Sequence, residues 1–177
     1  MVVTQDKIES ALGKLRKPID AYSKLQRSLH FVNVAEDKEF QRRFTKYYGV
    51  RFLKPVPRQG LFDLLEESKK LPADFGSALE KLRAITGRME ESFASKLAAT
   101  IDPNLPVIDR WVRDNLGLRR ASTTEDAKKN HQKIREQYAE FLSTENGKYL
   151  IRRSAETYPE AHITHVKILD FILWQTR

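Results

Sequence analysis

Apolar residues in this chain recur at intervals of three and four, and that spacing leaves few choices of fold. Phe40, Phe44 and Tyr47 stand at i, i+4 and i+7, with Lys38, Arg42, Arg43 and Lys46 on the other side of the same turn of chain. Leu61, Leu64, Leu65 and Leu71 repeat the pattern, as do Phe75, Leu79 and Leu82, then Ile134, Tyr138, Phe141 and Leu142. Alternation with a period of two, the mark of a half-buried strand, is absent. The chain is therefore expected to be all-α: a single-domain multi-helix bundle of eight or nine helices over residues 1–177. Any extended pieces belong near Val32 to Val34 or Val50 to Pro57.

Caps and breakers divide the helices. The pattern predicts helices over Thr4–Lys17, stopping near Pro18, then Asp20–His30 and Ala35–Tyr48. Pro55 and Pro57 make residues 50–60 extended. Helices follow over Leu61–Leu71, Phe75–Ile85, Glu90–Ile101 and Arg110–Leu116, the last closed by Gly117. Thr123 with Asp126 has capping-box spacing and opens a long helix to Ser143. Asn146–Tyr158 comes next. Thr164, bracketed by Ile163 and Ile168 as a hydrophobic staple, starts the final helix, which is apolar almost to its end and docks into the core. Phe40, Phe44, Leu79, Phe93, Leu97, Trp111, Ile168 and Leu173 lie on apolar faces and are expected to be buried.

Composition removes several classes of function. Cysteine is absent, which excludes disulfides, thiolate metal sites and a cysteine nucleophile. The polar N-terminus lacks a signal-peptide core, and no apolar run is long enough to span a bilayer, so a cytoplasmic, membrane-free protein is expected. No phosphate-binding loop, dinucleotide fingerprint, nucleophile elbow or zinc-protease motif occurs, and no cofactor is implied. His162 and His165, with Glu160, have the spacing of metal ligands, but no further ligand is identifiable to complete a site.

The net charge is +8, which makes a polyanion a natural partner. Residues 1–58 hold 13 Lys and Arg against 6 Asp and Glu, whereas residues 59–118 hold 8 against 10. The N-terminal third would thus supply phosphate contacts to nucleic acid, DNA by preference. Arg42, Arg43, Lys46 and Arg51 interleave with Phe44, Tyr47, Tyr48 and Phe52. Such a strip can hold phosphates and stack on bases, or can be an amphipathic helix with aromatics inward. Tyr48 and Arg51, at the helix break, are the candidates for exposed functional residues. Arg88 and Arg110 are further candidate contacts.

The segment from Gly87 to Gly117 carries the chemistry. Lys96 sits in the small, apolar run Phe93-Ala94-Ser95-Lys96-Leu97-Ala98-Ala99. A lysine there, partly desolvated, loses basicity and becomes a nucleophilic amine; alternatively it snorkels to solvent or pairs with Asp109 or Asp114. Asp109 precedes Arg110-Trp111-Val112. It can be a plain helix N-cap, or a carboxylate held ionised to stabilise a cationic sugar or orient water.

SFASKLAATIDPNLPVIDRWV, together with FQRRFTKYYGVR and ITHVKILDFILWQ, resembles an all-helical bacterial family with an SFASKL…PVID…V pattern. More distantly, the central segment is similar to the helix-hairpin-helix DNA glycosylase superfamily, including its 8-oxoguanine branch. There a helical lysine precedes a Pro-Val-Asp turn; Pro106-Val107-Ile108-Asp109 is similar, with one residue inserted. The resemblance implies Asp109 as catalytic carboxylate and Lys96 as Schiff-base amine, acting on a base flipped from DNA. The superfamily's hairpin has two closely spaced glycines; this chain has Gly87 alone. A non-enzymatic helical interaction module is the other function this fold could serve.

Overall fold

The computed structural model describes residues 3–50 and 56–176. Among them are ten helices and no strand: α1 Gln5–Leu12, α2 Arg16–Leu29, α3 Lys38–Tyr47, α4 Val56–Ser68, α5 Phe75–Thr86, α6 Glu91–Ile101, α7 Arg110–Asn115, α8 Thr124–Ser143, α9 Glu145–Thr157 and α10 His165–Gln175.

Side-chain caps start most of them. Thr4, Asp37, Asp74, Asp109, Thr144 and Thr164 each accept a backbone N–H from the first turn that follows. Thr123 and Asp126 form the full reciprocal capping box of α8. Gly87 and Gly117 take left-handed conformations at the ends of α5 and α7, where an L side chain would be strained.

Two proline readings are corrected. Pro18 does not stop the first helix; α1 ends at Leu12 and Pro18 lies in the first turn of α2. Residues 56–60 are helical rather than extended, with Pro57 in the first turn of α4. Proline suits a first turn because the missing N–H has no helical partner there. Residues 51–55, with Arg51, Phe52, Lys54 and Pro55, lie outside the described residues. The third helix starts at Lys38, because Asn33 and Asp37 build a turn before it.

One contiguous core runs from Val3 to Leu173. α6 contributes Ala94, Ala98 and Ala99, all buried, and these small side chains let α5 pack closely on it. The two ends of the chain meet: α1 packs on α9 and α10, Arg153 and Tyr149 grip Glu9, and the Tyr158 hydroxyl donates to the Leu12 carbonyl. Gly147 permits the tight passage from α8 into α9, since a Cβ there would fall 2.1 Å from the Phe141 carbonyl oxygen. α10 is buried along Lys167–Leu173, so the C-terminal helix is docked.

Three apolar readings need correction. Leu71 points outward, 52% exposed, and Phe93 and Trp111 are half-buried. Helical period identifies a face but not how deeply a neighbour covers it. Among the described residues no helix is long and apolar enough to cross a membrane.

Candidate functional site

Asp109 is the N-cap of α7. Its Oδ1 accepts the Val112 N–H at 2.8 Å, as unpaired donors at a helix start require. Its Oδ2 accepts the indole N–H of Trp174 from α10. The turn that presents Asp109 is held from three sides. The Ile108 N–H donates to Ser95 Oγ of α6 at 2.8 Å. The Thr164 hydroxyl donates to the Pro103 carbonyl at 2.6 Å. The Val107 N–H donates to the Asp170 carboxylate.

Beside Asp109 lies a cleft lined by Tyr47 and Tyr48 of the α3 end, by Val107 and Val112, and by Lys167, Asp170, Phe171 and Trp174 of α10. The α10 residues fall at i, i+3, i+4 and i+7, one stripe of the helix. Tyr47 meets Tyr48 edge-on with centroids 4.6 Å apart, and also approaches Phe171. The walls are therefore largely aromatic, with charge confined to Asp109 and the Lys167–Asp170 pair.

That pair is almost wholly enclosed: Lys167 is 1% exposed and Asp170 8%. Lys167 Nζ stands 2.8 Å from Asp170 Oδ2 and over the ring of Tyr22 at 5.6 Å. The Tyr138 hydroxyl donates to Asp170 Oδ1 at 2.8 Å. Burial works against both charges: Asp170, with Tyr48, still raises the Lys167 pKa, whereas at Asp170 burial prevails over Lys167 and the other donors and raises the carboxyl pKa.

Lys96 behaves in the opposite way. It is half-buried on α6, its Nζ 5.8 Å from the Phe93 ring centroid. Burial lowers its pKa, and the Asp109 charge opposes that only partly. Lys96 and Asp109 thus interact through space rather than by a direct salt bridge, and Asp114 is engaged by Arg110 instead. Of the two, Asp109 lines the cleft and Lys96 stands outside its lining.

The other expected site residues divide. Arg42 and Arg43 are exposed and both bind Glu39, which offsets part of their charge; Lys46 is exposed. Phe44 and Tyr48 face the core, so this helix is amphipathic rather than an open aromatic strip. Tyr48 in particular is 4% exposed, not a surface residue. Its hydroxyl is 2.9 Å from Thr100 Oγ1, and burial raises its pKa. It reaches the site as a cleft wall. Arg88 is exposed after Gly87. Arg110 is exposed with its guanidinium 5.3 Å from the Trp111 ring centroid. Glu160 pairs with Arg16, and no group of three or more His, Asp or Glu among the described residues could hold a metal ion.

Sequence reasoning missed Lys167, Asp170 and Trp174. The signal available was a lysine and an aspartate at i, i+3 inside the apolar run Ile163–Trp174, where charge is costly unless partnered. Comparison with models of protein families, with curated proteins and with solved structures finds no match.

Proposed function

We propose that this protein binds nucleic acid, DNA by preference, and excises a base in the manner of a DNA glycosylase, with Asp109 as the essential carboxylate. The observation that carries the reading is Asp109 itself. It is a carboxylate fixed at a helix start by two donors, standing on the wall of an aromatic cleft, with a desolvated lysine nearby. A base turned out of the stack presents two flat faces, and the half-buried Tyr47 and Trp174 are suited to them once the cleft, about 30 Å³ as it stands, opens. As the bond between base and sugar breaks, its electron pair leaves with the base and positive charge grows on the sugar. A fixed carboxylate lowers the energy of that charge. Lys96, with its basicity reduced by burial, has a larger share of free amine than an ordinary lysine. It would form the new bond to the sugar carbon; otherwise water held by Asp109 attacks. Phosphate contacts fall to Arg42, Arg43, Lys46, Arg88 and Arg110, and to Arg51.

One observation favours the alternative, a non-enzymatic helical interaction module. Both oxygens of Asp109 already serve the fold, one capping α7 and one fastening α10. A panel of duplexes carrying damaged bases separates the two. The glycosylase reading expects base release by the wild type and at least a hundredfold loss, on the order of a fixed electrostatic group's contribution, in Asp109→Asn. If release also disappears in Lys96→Gln along with a borohydride-trapped adduct, the amine is the nucleophile. Release that persists assigns the attack to water. No release from any duplex by the wild type leaves the module.

A further inference from the structure

Phe31 is the most exposed large apolar side chain among the described residues, at 88%. It does not owe that exposure to a loose loop. Its N–H donates to the Ser28 carbonyl. The Val32 carbonyl accepts Lys69 Nζ at 2.7 Å, and the Val34 N–H donates to Glu66 Oε2 at 2.8 Å. Gln41 and Gln59 both donate to the Ala35 carbonyl. The segment between α2 and α3 is pinned on each side of a ring that meets only solvent, so the ring is presented rather than left over.

The ring ends a line of cations. Lys24 and Arg27 stand at i and i+3 on one side of α2, and Phe31 follows in the turn that continues from its C-cap His30. Lys24, Arg27 and His30 are all exposed, and neither Lys24 nor Arg27 has an ion-pair partner among the described residues. The only acid on the same line is Asp20, which lies one turn further back beside Arg16. A single projecting ring is too small an apolar area for a stable protein interface. A strand of nucleic acid fits better, because it repeats a negative phosphate and a flat ring together.

We propose that Lys24, Arg27 and Phe31 form a contact for an unpaired stretch of nucleic acid, the two cations against phosphates and the Phe31 ring stacked on one base. This rests on the nucleic-acid reading given above. Stacking needs an open base face, which a single strand offers at every unpaired base and a duplex only at its two ends, so the contact selects single strands. It is also not the seat of the base that enters the cleft. Phe31 is not among the residues that line that cleft.

Anisotropy titrations with a labelled single strand and with the blunt duplex of the same sequence test this on the full chain. Phe31→Ala is expected to weaken single-strand binding about 5- to 100-fold, the value of one lost stack. Duplex binding should shift by less than about twofold. Phe31→Tyr should restore the single-strand affinity, and the unfolding midpoint of Phe31→Ala should be unchanged. Lys24→Gln with Arg27→Gln should weaken both probes and flatten the salt dependence. Wild-type affinity for single strands in Phe31→Ala overturns this contact alone and leaves the cleft reading standing. Self-association of the wild type that Phe31→Ala abolishes assigns the ring to a second copy and also overturns it. A wild type that binds neither probe at low salt removes the nucleic-acid reading itself, and the contact with it.

Discussion

Two lysine–aspartate pairs meet at the turn before α7, and they treat their lysines in opposite ways. Lys167 touches Asp170, which also accepts hydrogen bonds from Tyr138 and Val107, and its pKa is raised although it is fully enclosed. Lys96 is less enclosed but does not touch Asp109, whose oxygens are taken by Val112 and Trp174, and its pKa is lowered. Depth alone therefore does not set a lysine's charge. A carboxylate in contact, supported by further donors, outweighs desolvation; one at a distance does not. The first arrangement favours the charged lysine, and the second favours a larger share of neutral amine.

The contrast predicts unequal costs of disruption. Asp170→Ala should destabilise the protein by about 3–5 kcal/mol, since it strands a buried ammonium. Lys167→Met with Asp170→Leu should recover much of that loss, because the uncompensated charge is gone. Lys96→Gln should move stability by less than about 1 kcal/mol, its lysine having no direct partner to abandon. Urea denaturation of the four proteins checks all three. Equal losses for Asp170→Ala and Lys96→Gln would erase the distinction between the pairs.

A smaller effect concerns Asp109. Asp109→Ala should cost about 1 kcal/mol through the lost cap of α7, with Trp174 losing its acceptor as well. Asn can cap the same helix, but its amide nitrogen cannot accept the Trp174 indole N–H, so Asp109→Asn should keep the cap and lose that one bond, at about 1 kcal/mol. Trp174→Phe, which loses the same bond but leaves the Asp109 charge, separates the two effects: activity kept there and lost in Asp109→Asn marks a loss of charge.

What the sequence disclosed followed how local each interaction is. The caps Asp109, Thr123 and Thr164 and the closing Gly117 act within a few residues, and all were legible; Gly87 was not read as the cap of α5. Pro18 and Pro57 were misread because a proline marks a helix start as readily as an end, and only the neighbouring packing decides. Phe93 and Trp111 lay on correctly identified faces, but their depth depends on helices remote in sequence; Leu71 was misplaced because α4 ends at Ser68, before it. The Lys167–Asp170 pair was hidden for the same reason. Its partner Tyr138 lies 32 residues away, and Val107 lies in a different turn altogether. Asp109 was found because its capping role is written in one short turn; the cleft beside it was not, because α3 and α10 build it together.

The least pronounced consequence is in the pH dependence of stability, where the two lysines have opposite signs. For Lys96 the folded pKa lies below the unfolded value of 10.5. Between the two the unfolded chain holds more protons, so this group's contribution to stability rises with pH there. Any advantage of Lys96→Gln at neutral pH should shrink as pH rises through that window. For Lys167 the folded pKa lies above 10.5. Its contribution is complete below 10.5 and is lost as pH rises through the folded value. Stability curves of the wild type and Lys96→Gln from pH 7 upward follow the first of these.

The most direct measurement is an NMR titration of the lysine ε-methylene signals, with Lys96 and Lys167 assigned by substitution. Lys96 should titrate below the ordinary lysine value, and Lys167 should remain charged beyond it. An ordinary or raised midpoint for Lys96, or a Lys167 that loses its proton first, would contradict the account.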